Sequence, residues 1–124
     1  MMGTDAAGLL ETNLDEVWNE RDPARRLAAL SRLYHPDAVL YEPDREVTGH
    51  EAISETVGAL LGQLPEGFRF EPVATPLEHH GLALARWRGG PPGQVIVTGS
   101  DVARVADGLI TELHVFIDPP PVTE

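Results

Sequence analysis

Val95-Ile-Val-Thr-Gly-Ser-Asp-Val-Ala-Arg-Val-Ala106, Asp107-Gly108 and Leu109-Ile-Thr-Glu-Leu-His-Val-Phe-Ile117 make up the longest strand pattern in the chain. Both flanks are rich in β-branched residues, and the Asp-Gly pair between them is a strong signal for a two-residue hairpin. The stretch predicts two long antiparallel strands. Alternation sets Val95, Val97, Gly99, Asp101, Ala103 and Val105 on one face, and Ile96, Thr98, Ser100, Val102 and Arg104 on the other. Asp101 is thus one carboxylate in an otherwise apolar row. Ionised and unpaired on a core face it would cost several kcal/mol, so it must be neutral, paired or hydrated.

Upstream, Leu10, Leu14, Val17 and Trp18 recur at helical spacing, predicting an amphipathic helix over about residues 7–19. Asp22 can cap a second helix with Pro23 at its first position, and Leu27, Leu30, Leu33 and Tyr34 form its buried stripe. His35-Pro36 ends it. Ala38–Glu42 reads as a short strand, followed by a turn at Pro43-Asp44-Arg45-Glu46. Thr48-Gly-His-Glu51 has the form of a capping box for a third helix, which turns Ile53, Val57, Leu60, Leu61 and Leu64 inward. Two further strands, over about residues 68–77 and 81–88, precede the Gly89-Gly-Pro-Pro-Gly93 loop and the long hairpin. Helices first and a sheet last define an α+β fold. One domain over residues 7–118 is expected, with residues 1–6 and 119–124 as frayed ends.

The net charge of −11 lacks the basic footprint that nucleic acid or an anionic membrane demands, so neither is an expected partner. All nine basic residues are arginines. Without lysine there is no Schiff base, no pyridoxal phosphate attachment and no P-loop. Without cysteine there is no thiol nucleophile, disulfide or thiolate metal site, and a cytoplasmic location is expected. No run is long enough to span a membrane.

Asn19-Glu-Arg-Asp22, Leu33-Tyr-His-Pro-Asp-Ala-Val-Leu-Tyr-Glu-Pro43, Thr48-Gly-His-Glu-Ala-Ile53, Ala85-Arg-Trp-Arg-Gly89 and Thr98-Gly-Ser-Asp-Val102, with Asp107-Gly-Leu-Ile110 and Phe116, resemble the nuclear transport factor 2-like superfamily, in particular its SnoaL-like polyketide cyclase and ketosteroid isomerase-like branch. The resemblance covers about residues 10–118. It implies a cystatin-like cone, in which three N-terminal helices pack into a strongly curved antiparallel sheet around an apolar pocket. It also implies two roles. Glu42, followed by Pro43, matches the general base of ketosteroid isomerase, and Asp101 matches that enzyme's neutral oxyanion-hole acid. The isomerase's first-helix tyrosine falls near Leu14, which cannot donate a hydrogen bond. The Arg-x-Asp pair of the epoxide hydrolase branch meets Arg86-Trp-Arg88, and its last-strand acid falls near Val115.

These residues support an enzyme: a cofactor-free acid–base catalyst on a small apolar carbonyl compound, by polyketide cyclase-like aldol cyclisation or isomerase-like proton transfer. Glu42 is the candidate base, expected to stand in the apolar pocket; Asp101 and His114 are the candidate oxyanion donors. Leu14, Trp18, Val57, Leu61, Trp87 and Phe116 are the candidate pocket wall. A noncatalytic small-molecule-binding or scaffold module of the same fold is the alternative, and Leu14 favours it. Each polar candidate also has a structural reading: Glu42 as a solvated strand end, Asp101 as a capping or paired acid, His114 as a satisfied core histidine. His79 and His80 are adjacent and point to opposite faces, so a metal site is not expected. The row Ile96, Thr98, Ser100, Val102 lies away from the pocket, and a homodimer through the sheet would cover it.

Overall fold

The hairpin that dominates the sequence is the spine of the structure. In a computed structural model that describes residues 5–120, strands β6 (Val97–Ala106) and β7 (Leu109–Ile117) pair antiparallel. Asp107 and Gly108 both take positive φ, 56° and 76°, as the tight hairpin turn requires. Around them lie β1 (Tyr34–Glu42), β2 (Arg45–Thr48), β3 (Arg69–Pro72), β4 (Leu77–His79) and β5 (Leu82–Gly90), in the order β2-β1-β7-β6-β5-β3 with β4 also on β5. The architecture is α+β, three helices on a curved, unclosed sheet. The sheet differs from expectation in that β1 runs parallel to β7, so it is mixed rather than antiparallel, and in that the strand expected over about residues 68–77 is split into β3 and β4.

The helices are α1 (Ala6–Asn13), continued by a π-helical segment (Leu14–Trp18), then α2 (Pro23–Leu33) and α3 (His50–Gln63). Asp5 caps α1 and Ala6 is buried; residues 1–4 and 121–124, most of the expected frayed ends, lie outside the described residues. Asp22 caps α2 through the Arg25 N–H, with Pro23 opening the helix as the sequence predicts. The capping box does not form. Thr48 is still in β2, and Gly49 stands at the N-cap of α3 with φ 93°, a conformation that favours glycine. β1 starts at Tyr34, directly after α2, and is longer than its apolar core suggested.

Buried polar groups lock the helices to each other and to the sheet. Arg26, almost fully buried between α2 and α3, donates to Ser54 Oγ at 3.0 Å and to the Glu20 carbonyl at 2.6 Å. Arg21 donates to the carbonyls of Leu61 and Pro65 and so closes the C-terminal end of α3. Asn19 completes the edge strand β3, donating to the Phe70 carbonyl and accepting from the Phe70 N–H, both at 2.8 Å. Its amide thus acts as one more ladder residue and fixes the end of the π segment beside Phe70. Leu10, Val17, Leu30, Leu40, Ile53, Val57, Ile110 and Leu113 fill the core between the layers.

Candidate active site

The cavity opens between the helical layer and the concave face of the sheet, and encloses about 320 Å³. The π segment supplies Leu14 and Trp18. The Asn19 N–H bonds the Leu14 carbonyl five residues back, and the widened turn carries both side chains to the cavity; such π turns recur at functional sites. α3 supplies Leu60 and Leu64. Phe68 and Phe70 come from the approach to β3 and from β3 itself, Trp87 from β5, Ile96 and Val97 from the start of β6, and Val115 and Ile117 from β7. The aromatic rings meet edge to face: Phe70 lies 6.4 Å from Trp18, 5.5 Å from Trp87 and 5.2 Å from Phe68. Only Glu42 and Asp101 among the lining side chains are ionisable.

Asp101 is 4% exposed and accepts a 3.0 Å hydrogen bond at Oδ1 from the Trp87 indole N–H. One neutral donor is little compensation for an ionised carboxylate. Burial therefore pushes its pKa up to about 7, against a smaller lowering by the Trp87 bond. Gly99 makes this contact possible. It pairs with Trp87 across the ladder, and a Cβ there would lie 2.4 Å from Trp87 Cζ2 and 2.4 Å from the Phe116 carbonyl oxygen. Only glycine lets the indole lie over β6 and reach Asp101, two residues along the same face.

A second polar cluster lies in the adjoining core. The Tyr34 hydroxyl, fully buried, donates to Asn13 Oδ1 at 2.5 Å. Burial, and next the charge of nearby Asp101, push the Tyr34 pKa upward, so it remains a donor. The Trp18 indole N–H approaches Tyr34 without completing a hydrogen bond, and Asn13 Nδ2 likewise has no partner among the described residues. Sequence reasoning placed Tyr34 in a helical stripe and passed over Asn13; an asparagine one residue before Leu14 on an apolar helix was the available signal.

Glu42 ends β1 at the cavity, its side chain 15% exposed. Instead of standing unpaired in an apolar site, it accepts at Oε1 from Arg45 Nε, 2.8 Å away across the β1–β2 turn. Leu14, Trp18 and Trp87 line the cavity with Glu42 and Asp101. Four other candidates do not. His114 and Phe116 share a face, but it is the outer one: His114 pairs across from Val102, stacks on Tyr41 and contacts Glu112, and Phe116 is 57% exposed. The odd-numbered side chains of β7, Leu113, Val115 and Ile117, face inward, as Asp101↔Val115 pairing requires. Val57 and Leu61 are buried in the core, and their neighbours Leu60 and Leu64 form the α3 wall. Among the described residues no group of three or more His, Asp or Glu side chains could hold a metal, and no helix is long and apolar enough to cross a membrane.

A three-helix layer on a curved mixed sheet, with acids in an apolar cavity, defines an NTF2-like domain. Residues 12–113 match the family described as the SnoaL-like domain, and the chain belongs to that family. None of the curated proteins matches it. Among solved structures it is similar to a proposed isomerase of the SnoaL-like family from Agrobacterium tumefaciens, with 26% identity, 90% of this chain and 95% of that chain covered and a TM-score of 0.82. A proposed polyketide cyclase from Sinorhizobium meliloti gives 24% identity, 86% and 92% coverage and a TM-score of 0.66. A de novo designed protein with a curved β-sheet reaches 0.70 at 15% identity, covering 94% of this chain and 89% of that one. The last two likenesses show the fold alone, and a fold does not decide a reaction.

Proposed function

We propose that the protein is a cofactor-free acid–base catalyst that moves a proton next to the carbonyl of a small apolar compound, as in an isomerisation or an aldol cyclisation. The observation that carries this reading is a buried carboxyl, Asp101, in a cavity whose other ionisable lining group is the carboxylate Glu42. Two acids in unlike surroundings divide acid and base work between them. Asp101, holding its proton, donates to the carbonyl oxygen and stabilises the negative charge that develops there. Glu42, held at Oε1 by Arg45, presents Oε2 as the base that takes the α-proton. His114 has no part in this, and Leu14 leaves Asp101 as the side-chain donor for the oxyanion. The likeness to a proposed isomerase supports the same reading.

The cavity is about twice the ~150 Å³ that accommodates a benzene ring, which suits a compound of about two six-membered rings. 2-Tetralone is such a ketone. The test is exchange of its α-protons for deuterium in heavy water, followed by proton NMR: the protein accelerates exchange above the buffer rate, and a rate equal to buffer alone refutes the reading.

The protein is proposed to work as a homodimer in the cytoplasm. Across the outer face, Leu77 pairs with Leu84, Leu84 with Val102 and Val102 with His114, and the first two leucines are exposed. The row expected from the sequence is less apolar than this strip. Thr98 and Ser100 are tied up by Arg86 and Asp118, and Ile96 turns to the cavity. A second copy supplies the matching apolar strip. Light scattering at micromolar concentration should give twice the chain mass, and Leu84→Glu should return it to the monomer mass; a wild-type monomer contradicts the proposal.

A further inference from the structure

The cavity has carboxylates and aromatic rings but no cationic side chain in its lining. Asp101 Oδ1 takes the Trp87 N–H, and Oδ2 meets no donor among the described residues. A buried carboxylate ordinarily has a cation or several donors beside it. Here that place is open to the cavity, inside a protein of net charge −11 whose field gathers cations at its clefts. The rings of Trp18, Phe70 and Trp87 supply the apolar wall on which the hydrocarbon body of such a cation would lie.

We propose that this cavity is a binding site for compact apolar ammonium ions of about two rings, with the charged nitrogen on the Asp101 carboxylate and the hydrocarbon against the aromatic walls. The site needs no chemistry to work in this way, so the proposal goes beyond the catalytic reading and stands or falls separately from it. In the free protein a proton takes the place of the missing cation, since burial raises the Asp101 pKa to about 7. An ammonium ion arrives with its own proton and the proton on Asp101 leaves to solvent. Binding therefore strengthens as pH rises through that region. The other ionisable groups near Asp101 are Tyr34, which keeps its proton, and Glu42 with its partner Arg45; the helices face the cavity with uncharged side chains, and no histidine lines it.

The probes are 2-aminotetralin, whose amine is charged throughout the range, and tetralin, the same hydrocarbon without nitrogen. Trp18 and Trp87 are the only tryptophans and both line the cavity, so intrinsic fluorescence reports occupancy. The dissociation constant of 2-aminotetralin is expected to fall about tenfold between pH 6 and pH 8, following the ionised fraction of a group of pKa about 7. That of tetralin does not fall over the same range, because hydrocarbon beside Asp101 favours its protonated form. Calorimetry near pH 6 in buffers of different ionisation enthalpy should show about 0.9 proton released per amine bound, the protonated fraction of a group of pKa about 7. Asp101→Asn should remove the pH dependence and leave tetralin binding intact; if that variant does not fold, the wild-type pH series and proton release decide alone. Amine binding no tighter than tetralin at pH 8, or constant with pH, overturns the proposal. Exchange of 2-tetralone without amine binding would sink this inference and leave the catalytic reading standing, and the converse result would do the reverse.

Discussion

At pH 8 the Asp101→Asn protein is expected to be more stable than the wild type, by up to about 4 kcal/mol, and at pH 4 the two are expected to be nearly equal. The sign follows from where the proton is held. Burial raises the folded pKa of Asp101 to about 7, against an unfolded value near ~3.9. The native state thus binds the proton more tightly than the unfolded chain. The contribution is fully present below about pH 4, is lost as pH rises toward and through 7, and is flat above about 8. About three pK units correspond to the ~4 kcal/mol quoted, an upper figure that water entering the cavity reduces. Against a typical stability of about 5–15 kcal/mol, such a change is readily measured by urea unfolding. Asparagine keeps the acceptor for the Trp87 N–H and cannot ionise. Asp118, which the Arg86 and Thr98 bonds hold down at about 2, titrates below the window and is common to both proteins. A variant less stable than wild type at pH 8 would make Asp101 a structural acid whose charge the fold requires.

Glu42→Gln is expected to slow the deuterium exchange of 2-tetralone by a factor of about 10²–10⁴, the usual contribution of a positioned general base. Glutamine preserves the shape and an oxygen for Arg45 Nε at the end of β1. Binding of 2-tetralone, read by tryptophan fluorescence, should change little, because the apolar wall is untouched. Loss of binding together with exchange would make Glu42 a positioning residue for the cavity mouth; unchanged exchange would remove it as the base.

Much of the fold was legible because its signals are local. The Asp107-Gly108 turn, the Asp22-Pro23 helix start and the alternation that puts Asp101 inward each depend on a few adjacent residues. The parts that were not legible depend on partners distant in sequence. Which face of β7 turns inward is decided by its pairing with β6 and β1, so alternation within the strand, read with His114 and Phe116 toward the pocket, chose the wrong face. The α3 wall was displaced by one position, from Val57 and Leu61 to Leu60 and Leu64, because all four are apolar and only the opposing sheet separates core from cavity. The Glu42–Arg45 pair spans only three residues and could have been anticipated from the tightness of the turn between β1 and β2. Phe68 and Phe70 alternate just after Pro65-Glu66-Gly67, but their role rests on Gly89, where a Cβ would meet both rings at 2.9–3.0 Å.

The catalytic reading needs the proton that Asp101 holds, inside an apolar cavity, up to about pH 7. Carbon-13 NMR of the aspartate side-chain carboxyl carbons, with the Asp101 signal assigned by its absence from Asp101→Asn, follows that proton directly from pH 3 to pH 9. The account predicts a titration midpoint near 7 for Asp101. A midpoint at or below the ordinary aspartate value of about 3.9 would contradict it.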